Sequence, residues 1–204
     1  MVSEVLSNLH EILNKCGKTR IKTGDIILLL KLLKDEKVGR YKLTSELSVG
    51  EATVRTVLKH LKSLGYVKRC DKAHTLTDKG IKLINSILKD IKSEGEISTP
   101  YKLGKNEYYL HISKSSGKVK SGLRQRDAAL LCGGQGALTL VFSADKGLIF
   151  PDSGIKLRDV CPELDEEMMK NLSLSDDDVI LIVGAESPEK AKSVAYSVLT
   201  TFLE

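Results

Sequence analysis

The chain has 204 residues, of which 41% are hydrophobic and 29% charged, with a net charge of +5. That is too apolar for a disordered chain and long enough for two domains of roughly 100 residues each. The longest apolar run, Ile26 to Leu30, is far short of the roughly 20 residues of a membrane span, and Met1–Glu4 does not begin a secretory signal, so no membrane association is expected.

The first half reads as helix. Val5, Leu6, Leu9, Ile12 and Leu13 share one face over Val2–Asn14, and Gly17 closes that helix. Thr23-Gly24-Asp25 opens a second helix, Ile26 to Lys34, apolar almost all round and so expected at the buried centre. A short piece at Leu43–Leu47 follows. The helix from Gly50 to Leu64 then has Val54, Val57, Leu58, Leu61 and Leu64 inward, and Gly65 ends it. Tyr66–Arg69 and Thr75–Thr77 read as two strands around a polar tip. A last helix, Asp78 to about Lys92, is expected to point Ile81, Ile84, Leu88 and Ile91 inward. Three helices, a hairpin and a flanking helix make a winged helix-turn-helix, placed at residues 1–98.

Residues 93–106 are polar, contain Pro100, Gly95 and Gly104, and lack periodicity, which places the domain boundary there. Beyond it, strands are expected at Tyr108–Ile112, Leu138–Phe142, Leu148–Phe150 and Val179–Val183. Helices are expected at Gln125–Leu131, Glu163–Leu172 and Pro188–Leu203. Asp145-Lys146-Gly147 is a hairpin turn, and Ser187-Pro188 caps and starts a helix. The mixture predicts a small α+β domain with a largely antiparallel sheet over residues 105–204.

Charge is unevenly distributed. Residues 1–98 hold 19 Lys and Arg against 12 Asp and Glu, and residues 99–204 hold 13 against 15. A basic first half suits a polyanion. With Val54, Leu58 and Leu61 inward, the 100° step per residue leaves Glu51, Arg55, Thr56, Lys59 and Lys62 on or near the outer face of their helix. The expected interface with double-stranded DNA comprises Ser48, Glu51, Thr53, Arg55, Thr56, Lys59 and Lys62, joined by Arg69, Lys72 and His74 of the hairpin. Arg55 can fork onto a guanine edge, whereas Lys59 and Lys62 suit phosphate. Glu51 would repel phosphate unless it accepts a cytosine amino hydrogen or caps the helix. Isolated Lys and Arg are by default a solvated face; the helical frame is what favours a DNA contact.

In the second half, Gly133-Gly134-Gln135-Gly136 could cradle an anion with backbone N–H groups, yet it lacks the spacing of a P-loop or a dinucleotide fold. A glycine stop between helix and strand is the favoured reading. A small anionic effector, if one binds, is expected near Arg126, Asp127, Gly133, Gly134, Gln135, Gly136 and Ser187. Cys132 has no evident base, and Asp176-Asp177-Asp178 reads as a turn rather than a cation site. Glu163, Asp165, Glu166 and Glu167 suit a helix N-terminus. Cys16, Cys70, Cys132 and Cys161 form no Cys-x-x-Cys pair, which argues against a zinc ribbon or disulfide scaffold and fits a reducing cytoplasm. No metal, cofactor or catalytic set is expected.

The run from Gly39 to Leu61 with Leu64-Gly65-Tyr66-Val67 and Leu76-Thr77-Asp78-Lys79-Gly80 resembles the winged-helix superfamily. Taken with Arg126–Ala129, Gly136–Leu140, Gly147–Pro151 and the Val179–Gly184 strand, it is similar to archaeal proteins that couple a winged helix to a C-terminal domain of unknown function. The resemblance implies a transcriptional regulator and brings no ligand or catalytic residue. The expectation is a cytoplasmic, homodimeric DNA-binding regulator, the dimer contact made by the helix at Val2–Asn14 or at Asp78–Lys92. The alternatives are a protein- or RNA-docking adaptor, and an enzyme of unknown type in the second domain.

Overall fold

The computed structural model describes residues 2–17, 19–47 and 49–203. It divides into two compact units, the first running to Lys89 and taking in Leu203, the second spanning Asp90–Phe202. The first contains α1 (Val2–Cys16), α2 (Thr23–Asp35), α3 (Arg40–Leu47), α4 (Glu51–Ser63), β1 (Val67–Cys70), β2 (Ala73–Leu76) and α5 (Asp78–Leu88). α2 buries every residue from Gly24 to Leu30, and Leu33. Such a helix can only sit at the centre, and α3, α5 and β2 pack around it.

β1 and β2 form an antiparallel hairpin with Arg69 opposite His74. Val38 adds a bridge to it, its N–H and C=O both bonded to His74 at 3.0 and 2.9 Å. The hairpin is locked to the helices at its base. The Thr77 hydroxyl donates to the Gly65 carbonyl at 2.5 Å and accepts the Gly80 N–H at 3.2 Å, which caps α5. Gly65, at φ +79°, makes the turn that a β-carbon would strain. The first unit is a winged helix-turn-helix.

The second unit is a five-stranded antiparallel sheet in the order β3-β4-β7-β5-β6, with β3 at Ile91–Ile97, β4 at Asn106–Ile112, β5 at Gly136–Ser143, β6 at Gly147–Ile149 and β7 at Val179–Ala185. β7 is buried at all seven positions, so both faces of the sheet are covered. α6 (Leu123–Leu131) and α9 (Pro188–Leu199) pack on β5, β4 and β7. Ile180 and Ile182, alternating with these contacts, meet Leu157 of α7 (Leu157–Val160) and Leu164 and Met168 of α8 (Pro162–Asn171). Two short 3₁₀ turns, Ser116–Lys118 and Thr200–Phe202, complete the unit. The chain is therefore α+β, with antiparallel sheets throughout.

Three sequence expectations are corrected. The domain boundary expected within 93–106 falls instead at Lys89/Asp90, and the first part of that stretch belongs to β3. β3 is an edge strand whose register shifts between Ile91 and Ser93, and its middle residues are charged, Ser or Gly, so apolar periodicity is lost. α5 accordingly stops at Leu88 and buries Leu83, Ile84 and Ile87 while Ile81 is exposed, because Gly80 rather than Ile81 faces the hairpin. The last helix ends at Leu199 and tightens into the 3₁₀ turn.

Candidate nucleic-acid interface

The amphipathic pattern of α4 positions the site. Burial of Val54, Val57, Leu58 and Leu61 turns Arg55, Lys59 and Lys62 outward, at i, i+4 and i+7 on one face. The hairpin projects Arg69, Lys72 and His74 beside this face. Together with Arg40, at the start of α3, and the apolar Leu58, these side chains line an open concavity of about 500 Å³. Arg40, Arg55, Lys59, Lys62, Arg69 and Lys72 thus bring six cations from separate elements together, and all six are exposed. Like charges brought together this way repel, and a polyanion offsets the repulsion.

Individual contacts tune the surface. Arg69 Nε donates to the Asp71 carbonyl at 2.8 Å, which fixes its stem while the other guanidinium nitrogens stay available. Glu51 lies 3.8 Å from Arg40, so its charge is met by a cation and need not oppose a phosphate. The Thr56 hydroxyl donates to the Ala52 carbonyl at 2.9 Å. Partial burial pushes the His74 imidazole below its ordinary value, and the cations of Arg69, Arg40 and Lys62 push the same way against the Val38 hydrogen bond. Its Nδ1 is buried without a hydrogen-bond partner among the described residues.

Of the residues expected to meet DNA, Arg55, Lys59, Lys62, Arg69, Lys72 and His74 come together on the concavity. Glu51, Thr53 and Thr56 lie on α4 outside its lining, and Ser48 falls outside the described residues. Arg40 is absent from the expected set. Its signal was faint: it stands 15 positions before Arg55, and only the packing of α3 on α4 unites them.

The expected effector site fares differently. The turn at Gly133–Gly136 does meet the start of α9: Gln135 Nε2 donates to Glu186 at 2.7 Å, and the Gly133 position abuts Lys190. The N–H groups of Gly133, Gly134 and Gln135, however, already donate to the carbonyls of Leu130, Ala129 and Gly184 at 3.0, 2.8 and 2.8 Å. They are a helix stop, with Gly133 at φ +87°, and not an anion cradle. Ser187 is likewise occupied in capping α9 through Lys190 N–H at 3.2 Å. Arg126 and Asp127 point outward from α6.

A buried polar cluster of the second unit surrounds Asp178. Its carboxylate accepts from Lys92 Nζ and His111 Nε2, both at 2.8 Å, and from the amides of Ser175 and Lys114 at 2.9 and 3.2 Å. Burial alone would push its carboxyl up, but these hydrogen bonds outweigh it and hold the group below the ordinary carboxylate range. Its neighbours Asp176 and Asp177 turn elsewhere, to Ala144 N–H and the Ser116 hydroxyl, so the acidic run is a turn. Among the described residues no set of three or more His, Cys, Asp and Glu is placed to hold a metal ion, and no helix is long and apolar enough to cross a membrane.

Residues 22–82 match the family model described as the N-terminal domain of PH0730-like proteins, and residues 103–202 match a domain of unknown function, DUF4443. The chain is similar to the solved structure of hypothetical protein PH0730 from Pyrococcus horikoshii OT3, with a TM-score of 0.67 and 28% identity over 86% of this chain and 89% of that one. No curated protein matches. The two domain matches, in this order, and the archaeal structural likeness fit a family that joins a PH0730-like N-terminal domain to a C-terminal domain of unknown function.

Proposed function

We propose that the chain is a cytoplasmic DNA-binding transcriptional regulator: the winged helix-turn-helix reads duplex DNA as a homodimer, and the second unit serves dimerisation or ligand sensing rather than catalysis. The observation that carries this reading is the convergence of Arg40, Arg55, Lys59, Lys62, Arg69 and Lys72 on one concavity between recognition helix and wing. In such a frame α4 enters the major groove, where Arg55 meets base edges, and the basic groups around the concavity grip the adjoining phosphates. His74, neutral in the free protein at pH 7, stands beside Arg69 on the wing and gains a partner for its proton when phosphate approaches.

Selection from a pool of random duplexes tests the reading. Wild type is expected to enrich a two-fold-symmetric site, and Arg55→Ala to relax preference at one base of each half-site at a cost of about 1–3 kcal/mol. Absence of enrichment, or enrichment indifferent to Arg55→Ala, contradicts it and makes the first unit a docking module.

A further inference from the structure

α6 is built inside out. Its inward face buries Gln125 and Ala129, while Leu123, Leu130 and Leu131 stand outward, 55%, 43% and 80% exposed. A helix on the surface of a single chain arranges its residues the other way. The buried Gln125 is accounted for, since its amide reaches the Thr201 hydroxyl at 3.3 Å. No packing among the described residues covers the leucines.

Their setting points to an occupant. Leu123, Arg126 and Leu130 form one row along the helix, and Leu123, Asp127 and Leu131 the row beside it. Each row therefore has a charge between leucines, positive in one and negative in the other. Both charges are exposed, and neither has an ion-pair partner among the described residues. Such a patch is its own complement. An antiparallel two-fold with its axis between Arg126 and Asp127 sets Leu123 against the second copy's Leu130, and Arg126 against the second copy's Asp127, twice over. A partner of a single charge sign would satisfy one of the two and repel the other.

We propose that the outer face of α6 is where two copies of this chain associate, leucine against leucine with reciprocal Arg126–Asp127 pairs. Neither helix expected from sequence to make the dimer contact offers as much: α5 exposes only Ile81 among its large apolar residues, and α1 exposes none among its described ones. A nine-residue helix is about 13 Å long. It covers less than the roughly 800 Å² per partner of a stable interface, so association of the free chain is weak and depends on concentration.

Sedimentation equilibrium of the full chain, without DNA, tests this separately from the DNA reading. Wild type is expected to dimerise reversibly as concentration rises. Arg126→Asp and Asp127→Arg should each weaken the dimer about tenfold or more, since each places like charges face to face. An equimolar mixture of these two variants should recover dimer, because one chain is then negative and the other positive at both positions. Far-ultraviolet circular dichroism checks that the surface substitutions leave the fold intact. A wild type that stays monomeric throughout the series, a dimer indifferent to both variants, or a mixture that associates no better than either variant alone overturns the proposal.

Discussion

His74 and Asp178 are both polar groups in partly closed surroundings, and the fold treats them in opposite ways. His74 is partly buried and surrounded by cations, both of which disfavour its protonated form. Its value in the folded chain lies below that of the unfolded chain, so acid protonates the unfolded state first. The first unit should lose stability as pH falls from above about 6.5, and His74→Gln should remove that part of the loss in chemical denaturation at pH 5.5. Phosphate reverses the local field. DNA affinity of wild type should therefore rise between pH 7.5 and 5.5, while that of His74→Gln changes less. Asp178 is the reverse case, a carboxylate held below its ordinary range by four donors. Its contribution is present above the unfolded value, near 4, and is lost as pH falls through the lower folded one. Asp178→Ala leaves Lys92 and His111 without this acceptor and should cost about 3–5 kcal/mol in denaturant unfolding of the second unit at pH 7. A loss below about 1 kcal/mol would show that the cluster is incidental.

At the scale of elements, the wing depends on its attachment to α5. A β-carbon built on Gly80 would lie 2.2 Å from the Tyr66 carbonyl oxygen, so backbone meets backbone with no side chain free to yield. Gly80→Ala should destabilise the first unit by about 1–3 kcal/mol or more and displace the hairpin, as unfolding and hydrogen exchange of β1 and β2 would show. Ala tolerated at full stability would contradict this packing. The Leu-Gly-Tyr and Leu-Thr-Asp-Lys-Gly motifs made the hairpin legible in sequence because the residues there act locally, as a stop, a cap or a point of close approach. α4 was legible for a similar reason, its apolar spacing fixing which charges face out. β3 was not, because an edge strand protects itself with charge, and here Lys92, Glu94 and Glu96 alternate with Ser93 and Gly95. The Gly95 backbone packs against the Tyr109 ring, whose Cε1 would lie 3.2 Å from an added β-carbon. That contact comes from the paired strand and leaves no mark in local pattern. α6 hid its character differently, since a helix with leucines outward gives the same residue list as one with leucines inward.

Over the whole molecule, the charge asymmetry visible in composition becomes spatial. Six of the Lys and Arg side chains of the first half are gathered by folding into one basic concavity, whereas acidic residues of the second half stand in the first turns of α8 and α9, in turns and in the Asp178 cluster. Sequence could count the cations and place most of them on α4 and the wing. It could not join Arg40 to them, because that requires the packing of the helices. The most direct measurement is the dependence of duplex-DNA affinity on salt for wild type and for Lys59→Ala, Lys62→Ala and Arg69→Ala. A concavity that grips phosphate predicts a steep linear fall of log K with log salt, and a slope reduced by about one for each cation that contacts a phosphate. Slopes unchanged by all three substitutions, or no binding even at low salt, would contradict a DNA-binding role for this surface.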